Sequence, residues 1–322
     1  MNLTTEYLGL TLRNPIVVGA SPLSDDLDMV KRLEDAGAAA IVLRSLFEEQ
    51  ITNEQAADAG SAFPSPHAFA LKPDRYLEHL RKVKHAVRIP VFASLNGTTD
   101  GGWIEYARLM AEAGADALEL NLYRIATNAD IDGASLERAA VNTVRSVRES
   151  VTVPVAAKLS PFYTAFAHTA RELDRAYVDG LVLFNRFYQP DIDVEDVSAT
   201  RSILLSDPSE LPLRLHWIAL LSGRVRASLA VTGGVHTARD VVKATMAGAH
   251  VTQMVSAPLM HGPEHVRTVL TDLEAWLSDN EWPSLSAMRG TLNFSKVPDP
   301  DAYERANYML MLQGWRGTER PR

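Results

Sequence analysis

Residues 229–240 have the sequence LAVTGGVHTARD, which combines three local signals. The stretch begins with a short apolar run that predicts a buried β-strand. Gly233 and Gly234 then predict a tight turn, and Thr237 with Asp240 matches the capping box that starts a helix. A strand that passes through a turn into a helix is the repeating unit of α/β proteins.

Seven further apolar runs have the length of short strands, and they are residues 16–19, 40–43, 91–94, 117–120, 155–158, 181–184 and 251–254. Their near-continuous apolarity is typical of parallel strands that are covered on both sides. Amphipathic stretches between the runs predict helices at residues 26–35, 103–113, 135–150, 165–177, 215–226 and 238–246. Eight strand–helix units predict an α/β fold, a single (β/α)8 TIM barrel over residues 1–322, with an open doubly wound sheet as the alternative.

The composition argues against several classes of function. The chain has 322 residues, a formal net charge of −8 and no cysteine. The negative charge argues against nucleic acid as a partner, and the missing cysteine excludes disulfides, thiolate nucleophiles and iron–sulfur ligation within this chain. The sequence has no leader pattern and no apolar run of membrane-spanning length, so we expect a cytoplasmic protein without a membrane or metal site.

Two long insertions, residues 47–73 and 189–212, follow the second and sixth strands. Both fall on the face where barrel active sites lie, and loops of this length are uncommon unless they have a function. A tail at residues 283–322 lies outside the eightfold pattern. We expect residues 301–312 of this tail to form a helix that packs on the barrel.

The carboxyl ends of barrel strands meet at one mouth, so the residues there are the candidates for chemistry. They are Ala20-Ser21, Arg44-Ser45, Asn96, Asn121, Lys158, Asn185, Gly233-Gly234 and Val255-Ser256. We interpret the polar ends of strands three to six as one site. The loops after strands seven and eight are the recurrent phosphate site of barrel enzymes, so Gly233, Gly234, Val255 and Ser256 are predicted to hold a phosphate through backbone donors. A turn that needs glycine only for its geometry is the alternative.

Lys158 ends the fifth strand, where an ammonium group is costly to desolvate unless it meets an anion. Three functions suit it, namely neutralising a reduced flavin, forming a Schiff base, or binding a substrate carboxylate. The structural alternative is a lysine whose ammonium reaches solvent at the rim.

Several segments together resemble the dihydroorotate dehydrogenase family in order and spacing over roughly residues 8–276. They are Asn14-Pro15-Ile16, Ala20-Ser21, Val42-Leu43-Arg44-Ser45, Glu119-Leu120-Asn121-Leu122, Ala157-Lys158-Leu159-Ser160-Pro161, Asn185, Thr232-Gly233-Gly234-Val235, Gly248-Ala249 and Val255-Ser256-Ala257. That family consists of (β/α)8 barrels that bind FMN. The resemblance therefore implies an FMN-dependent oxidoreductase acting on CH–CH bonds, in pyrimidine biosynthesis if dihydroorotate is the substrate.

The resemblance also implies roles for individual residues. With Asn96 added from the strand-end pattern, the predicted cofactor-binding residues are Ala20, Ser21, Ser45, Asn96, Asn121, Lys158, Gly233, Gly234, Val255 and Ser256. The predicted substrate-binding residues are Arg44, Asn121, Arg124, Asn185 and Arg186. Lys158, Asn121 and Tyr123 are the predicted catalytic residues, with Lys158 stabilising negative charge on the reduced flavin ring.

The sequence departs from the family in the half of the site that binds the pyrimidine. The family carries Ser-Cys-Pro-Asn after Glu-Leu-Asn-Leu, and its cysteine removes the substrate proton, whereas residues 123–128 here are YRIATN. Tyr123 is the best-placed replacement base, if Arg124 or Arg44 favours its ionised form. Packing of Tyr123 is the alternative. Histidine is a common acid–base group in enzymes, but we assign neither His67 nor His236 a catalytic role.

Three arginines near the mouth, Arg44, Arg124 and Arg186, suggest a small anionic substrate, since guanidinium groups suit carboxylates. Loop salt bridges are the alternative for each. Two other functions remain open: a flavin-free phosphate-binding lyase or aldolase that uses Lys158, and an electron-transfer module without its own substrate. Related flavin barrels often pair, so a homodimer is plausible, and the electron acceptor is not readable from the sequence.

Overall fold

The computed structural model describes residues 1–47, 73–96, 100–186, 191–200 and 203–314. Eight parallel strands close into a barrel in chain order, since the first barrel strand pairs with both the second and the last. These strands are β3 (Ile16–Val18), β4 (Ala40–Val42), β6 (Val91–Asn96), β7 (Ala117–Leu122), β8 (Val155–Leu159), β9 (Gly180–Leu183), β12 (Ser228–Thr232) and β13 (Val251–Met254). The predicted (β/α)8 barrel is confirmed, and all eight predicted strands are present.

Helices cover the outside of the barrel and follow its strands. They are α1 (Leu27–Asp35), α2 (Pro73–Ala86), α3 (Asp100–Glu112), α4 (Gly133–Ser150), α5 (Phe166–Arg175), α6 (Leu211–Leu221), α7 (Ala238–Ala247), α8 (Ser256–His261), α9 (His265–Asp279), α10 (Leu285–Met288) and α11 (Pro300–Gly314). None of the helices in the described ranges is long and apolar enough to cross a membrane.

The helix predicted at residues 215–226 is shifted toward the N-terminus. It begins at Leu211, because Pro212 fits the first helical turn. A backbone N–H there has no partner within the helix, so proline loses no hydrogen bond. It ends at Leu221, and the following Gly223 has a φ of +79°, which continues no right-handed helix. The apolar periodicity continues past the C-terminal end of this helix because Val225 also packs against the core.

The two insertions differ in how much of each can be compared with the expectation. Residues 48–72, and His67 among them, lie outside the described part of the chain. The second insertion contains an antiparallel hairpin of β10 (Asp191–Asp193) and β11 (Ser198–Thr200). A further short strand, β5 (Leu46–Phe47), pairs in parallel with the last residues of β6, at the mouth of the barrel.

The tail helix α11 confirms the predicted helix at residues 301–312 but packs on the barrel only through its first turns. The ring of Tyr303 lies 5.3 Å from that of Phe294, and Glu304 pairs with His216 at 3.7 Å. The second half of α11 is exposed on all sides, including Met309 and Leu310.

A hairpin of β1 (Thr5–Tyr7) and β2 (Leu10–Leu12) closes the barrel end opposite the mouth. Its Tyr7 and Leu8 are buried in one apolar cluster with inward-facing residues of the strands, among them Phe92. Gly180 of β9 leaves the space that Leu8 fills, because a Cβ there would overlap the Leu8 side chain. The barrel interior is therefore apolar at this end.

The face beside this hairpin contains a half-buried histidine, His250, that gives the fold a testable pH dependence. Burial, and secondarily the charge of Arg289, lowers the pKa of His250 from 6.5 to about 4. Its Nδ1 accepts a hydrogen bond from the N–H of Leu229 at 3.0 Å, which requires the neutral ring. The folded chain therefore binds this proton less readily than the unfolded chain does.

We expect the free energy of unfolding to fall as the pH drops from about 6.5 to about 4. The loss attributable to His250 is on the order of 3 kcal/mol, since each unit of pKa difference corresponds to about 1.4 kcal/mol. Urea unfolding at a series of pH values measures it, with His250→Gln as the comparison. An unchanged slope in the variant would show that other groups cause the pH dependence.

Candidate active site

The polar strand ends meet at the mouth as predicted. Asn121 on β7 and Lys158 on β8 are register partners, and both side chains are buried. Asn185 follows β9, and its Nδ2 donates to Oδ1 of Asn121 at 2.6 Å. Asn96, the last residue of β6, is also buried. The structure therefore brings these four predicted residues to one side of the mouth.

The predicted residues after the first two barrel strands contribute hydroxyl groups. Ser21 is buried, and its Oγ has no hydrogen-bond partner among the described residues. Ala20, beside it, is half-buried. Ser45 lies with its Oγ 2.7 Å from the Oγ of Ser94. A buried hydroxyl without a partner is costly, so the Oγ of Ser21 is suited to bind a ligand or an ordered water.

Lys158 has a partner that the sequence analysis did not identify. Its Nζ lies 3.4 Å from Oε1 of Glu119, and the two side chains are only 9% and 2% exposed. The other oxygen of Glu119 accepts from Nε2 of Gln253 at 2.5 Å. Glu119 and Gln253 each interrupt an apolar strand at an inward-facing position, which is the sequence signal that marks them.

The predicted phosphate site is a tight turn whose backbone donates to the hydroxyl of Ser206. Gly233 and Gly234 have φ of +88° and +79°, a region that glycine adopts without strain. The N–H of Gly234 donates to the Oγ of Ser206 at 3.3 Å, and that hydroxyl donates to the Oγ of Ser256 at 2.8 Å. Val255 precedes Ser256 at the start of α8. In this glycine cradle, formed by Gly233 and Gly234 with Ser256, the N–H of Gly234 donates to an oxygen atom, whereas the Oγ of Ser256 accepts.

The turn leads into α7 through the predicted capping box. Asp240 accepts from the N–H and the Oγ of Thr237, both at 2.9 Å. His236 is buried and its Nε2 lies 2.8 Å from the carbonyl oxygen of Ser206. His236 therefore helps to hold the Ser206 segment against the turn.

A buried arginine lies directly behind the turn. Arg214 on α6 donates to the carbonyl oxygen of Thr232 at 3.0 Å and to that of Glu210 at 2.7 Å. A Cβ on Gly233 would lie 2.8 Å from Nη2 of Arg214, so this guanidinium requires glycine there. Desolvation lowers the pKa of Arg214, and the charge of Glu210 opposes that effect.

The three arginines predicted to bind substrate occupy different settings. Arg44 forms an ion pair with Asp25 at 3.0 Å, and Arg186 forms one with Glu210 at 3.0 Å. Arg124 is exposed. The carboxylates of Asp25 and Glu210 therefore hold two of the three arginines.

Tyr123 directly follows the polar strand end. It is half-buried, and its N–H donates to the carbonyl oxygen of Asn121 at 2.8 Å, which fixes the backbone beside the site. Among the described residues, no group of three or more acidic or histidine side chains is arranged to hold a metal ion.

These features define a (β/α)8 barrel with a polar, lysine-containing mouth and a glycine cradle after the seventh barrel strand. Residues 71–277, about two thirds of the chain, match the family model described as dihydroorotate dehydrogenase. The chain belongs to the dihydroorotate dehydrogenase family.

The chain is similar to dihydroorotate dehydrogenases and to a dihydropyrimidine dehydrogenase subunit. The catalytic subunit of dihydroorotate dehydrogenase B (NAD(+)) from Thermoplasma acidophilum is 25% identical over 90% of this chain and 98% of its own length. A putative dihydroorotate dehydrogenase A (fumarate) from Aeropyrum pernix is 26% identical over 89% and 96%. The NAD-dependent dihydropyrimidine dehydrogenase subunit PreA of Escherichia coli is 25% identical over 93% and 79%.

The glycine turn allows a direct test of its packing. We expect Gly234→Ala to lower the free energy of unfolding by about 1–3 kcal/mol, because φ is positive and the Cβ would lie 2.6 Å from the backbone nitrogen of Leu211. Gly133→Ala is the matched control, since nothing lies within 4 Å of a Cβ there. Urea unfolding measures both variants, and equal stabilities would contradict the packing of the turn.

Proposed function

We propose that the chain is an FMN-dependent oxidoreductase that removes a hydride from a CH–CH bond of a small anionic substrate. The observation that supports this most directly is the grouping of Asn121, Lys158 and Asn185 at the mouth. Family membership gives the coarser statement, an oxidoreductase related to flavoproteins. FMN as the cofactor, the CH–CH bond and the anionic substrate are the finer parts of what we propose.

The residues present fit FMN at three points. The N–H of Gly234 in the glycine cradle donates to a hydroxyl oxygen, that of Ser206, and a phosphate oxygen would accept from the same N–H. Among the described residues, the buried Oγ of Ser21 has no hydrogen-bond partner, and Ser21 follows the first barrel strand, which pairs with the eighth. Lys158 supplies a buried cation at the mouth end of the fifth barrel strand. When bound, FMN would accept the hydride and carry the resulting negative charge.

The chain's own residues supply charge and orientation. The ammonium of Lys158 favours an anion at the floor of the mouth, because charges interact strongly in a site that excludes water. Asn121 and Asn185 are held to each other by a hydrogen bond of 2.6 Å, so their remaining amide donors and acceptors have fixed directions. Fixed donors orient a planar ring more precisely than mobile ones.

Proton removal is assigned to Tyr123 in this proposal. Its backbone is fixed by the hydrogen bond to Asn121, and the exposed Arg124 follows it directly. The family's cysteine is absent from the chain. A positioned acid–base group contributes about 10²–10⁴-fold to a rate, which sets the effect that removing it should have.

The substrate class is a small ring compound with a CH–CH bond that can be oxidised to a double bond. The similar proteins carry the names of enzymes for dihydroorotate and for dihydropyrimidine. Exposed Arg124, and Arg44 at the mouth, favour an anionic member of this class. Dihydroorotate is the first compound to test. A cytoplasmic location and a separate electron-accepting subunit are parts of the same proposal.

The lyase alternative requires Lys158 as a neutral amine. The ion pair with Glu119 instead favours the ammonium form, because a buried carboxylate without its cation is strongly disfavoured. The structure of this pair therefore supports a charge-stabilising lysine over a Schiff base.

The first experiment is a visible spectrum of the purified protein followed by anaerobic addition of dihydroorotate. We expect a flavin band near about 450 nm that dihydroorotate bleaches, since hydride transfer removes the oxidised chromophore. A band that does not bleach would retain the flavin and reject this substrate. The absence of a band, with no binding of added FMN, would overturn the proposal.

Tyr123→Phe tests the assigned base. We expect flavin reduction by the substrate to slow by about 10²–10⁴-fold while FMN affinity stays unchanged, because the phenol removes a proton and does not hold the cofactor. Stopped-flow reduction measures the rate. Tyr308→Phe, on the exposed part of α11, is the matched control. An unaltered rate in Tyr123→Phe would assign the proton to another group.

A further inference from the structure

A layer of polar side chains crosses the barrel interior between the apolar end and the mouth. Glu119 is its centre, with Lys158 at 3.4 Å from one carboxylate oxygen and Gln253 at 2.5 Å from the other. Tyr7 of the closing hairpin lies below. Burial and the negative charge of Glu119 raise the pKa of Tyr7 well above its usual value, so its hydroxyl keeps its proton.

Three oxygen atoms of this layer are buried without hydrogen-bond partners among the described residues. They are the hydroxyl of Tyr7, Oε1 of Glu119 and Oε1 of Gln253. Polar atoms in this state are usually completed by an ordered water. Among the described residues, the carboxylate is therefore anchored by the Gln253 amide alone, and its second oxygen faces Lys158.

The contact between Lys158 and Glu119 is an ion pair without a hydrogen bond. The ammonium nitrogen is 3.4 Å from Oε1, and that oxygen has no donor among the described residues. The carboxylate therefore attracts the ammonium while leaving its N–H groups able to point elsewhere. At 9% exposure the lysine has little access to water, so it requires a counter-charge inside the barrel.

We propose that Glu119 is a positioning residue for Lys158, a buried carboxylate that keeps the lysine an ammonium and leaves its N–H groups directed at the mouth. Gln253 holds the carboxylate in place from the opposite side of the barrel. Glu119 touches neither substrate nor cofactor in this arrangement, and it acts through Lys158. The inference rests on the proposed function only for the role of the cation at the mouth.

The charge state of Lys158 is accessible without any cofactor. Acylation by a small anhydride requires the neutral amine, and mass spectrometry of peptides gives the rate at each lysine. We expect Glu119→Gln to speed acylation of Lys158 by roughly 10- to 1,000-fold at pH 8, the range that loss of one adjacent opposite charge gives. Glu119→Asp keeps the charge and should restore a slow rate.

Lys84 is the internal control because it forms a separate half-buried ion pair with Asp116 at 2.6 Å. An unchanged rate at Lys158 in Glu119→Gln would overturn the proposal. An equal increase at Lys84 would also overturn it, because the variant would then only have loosened the barrel. If Glu119→Gln does not fold, Gln253→Met tests the same point through the anchoring amide, and we expect a smaller increase at Lys158 alone.

A second readout separates this inference from the proposed function. Sulfite adds to oxidised flavin and leaves a negative charge that a neighbouring cation stabilises, so its dissociation constant reports that cation. We expect it to rise by about tenfold or more in FMN-loaded Glu119→Gln and to recover in Glu119→Asp. Failure of the protein to bind FMN would reject the proposed function and leave the acylation result standing. Normal sulfite affinity in Glu119→Gln would reject the inference.

Discussion

The ion pair between Lys158 and Glu119 is the constraint on which the mouth of the barrel depends. Both side chains are almost fully buried, and neither charge is tolerable there without the other. Pairing of β7 with β8 brings them together, since Glu119 comes from β7 and Lys158 from β8. A single charged layer thus divides the interior into an apolar end and a polar end.

The N-terminal hairpin completes the apolar end of the barrel interior. Leu8 fills the space over Gly180, and Tyr7 covers the polar layer from below. Burial keeps the Tyr7 hydroxyl protonated, so the layer contains one negative group and one positive group. This end provides a rigid floor, and a rigid floor keeps the groups at the mouth in fixed positions.

At the rim of the mouth, a buried arginine packs against the glycine cradle and supports it. Gly233 and Gly234 form the tight turn of the phosphate site expected from the family resemblance, whereas Arg214 behind Gly233 and its partner Glu210 do not follow from any motif. Glu210 also holds Arg186, which follows the sixth barrel strand. Glu210 therefore connects Arg214, which packs against the glycine cradle, with Arg186 at the edge of the mouth.

The sequence by itself determined the eight strands, the capping box at Thr237 and the polar strand ends, because strand length, helix caps and glycine turns depend on neighbours within a few residues. It also marked Lys158 as a charge that needs a partner. Only the tertiary structure decided that the partner is Glu119, that Gln253, 134 positions further on, anchors it, and that α6 begins at Leu211. Contacts of this kind depend on which inward-facing positions meet when the barrel closes, and no local pattern contains that information.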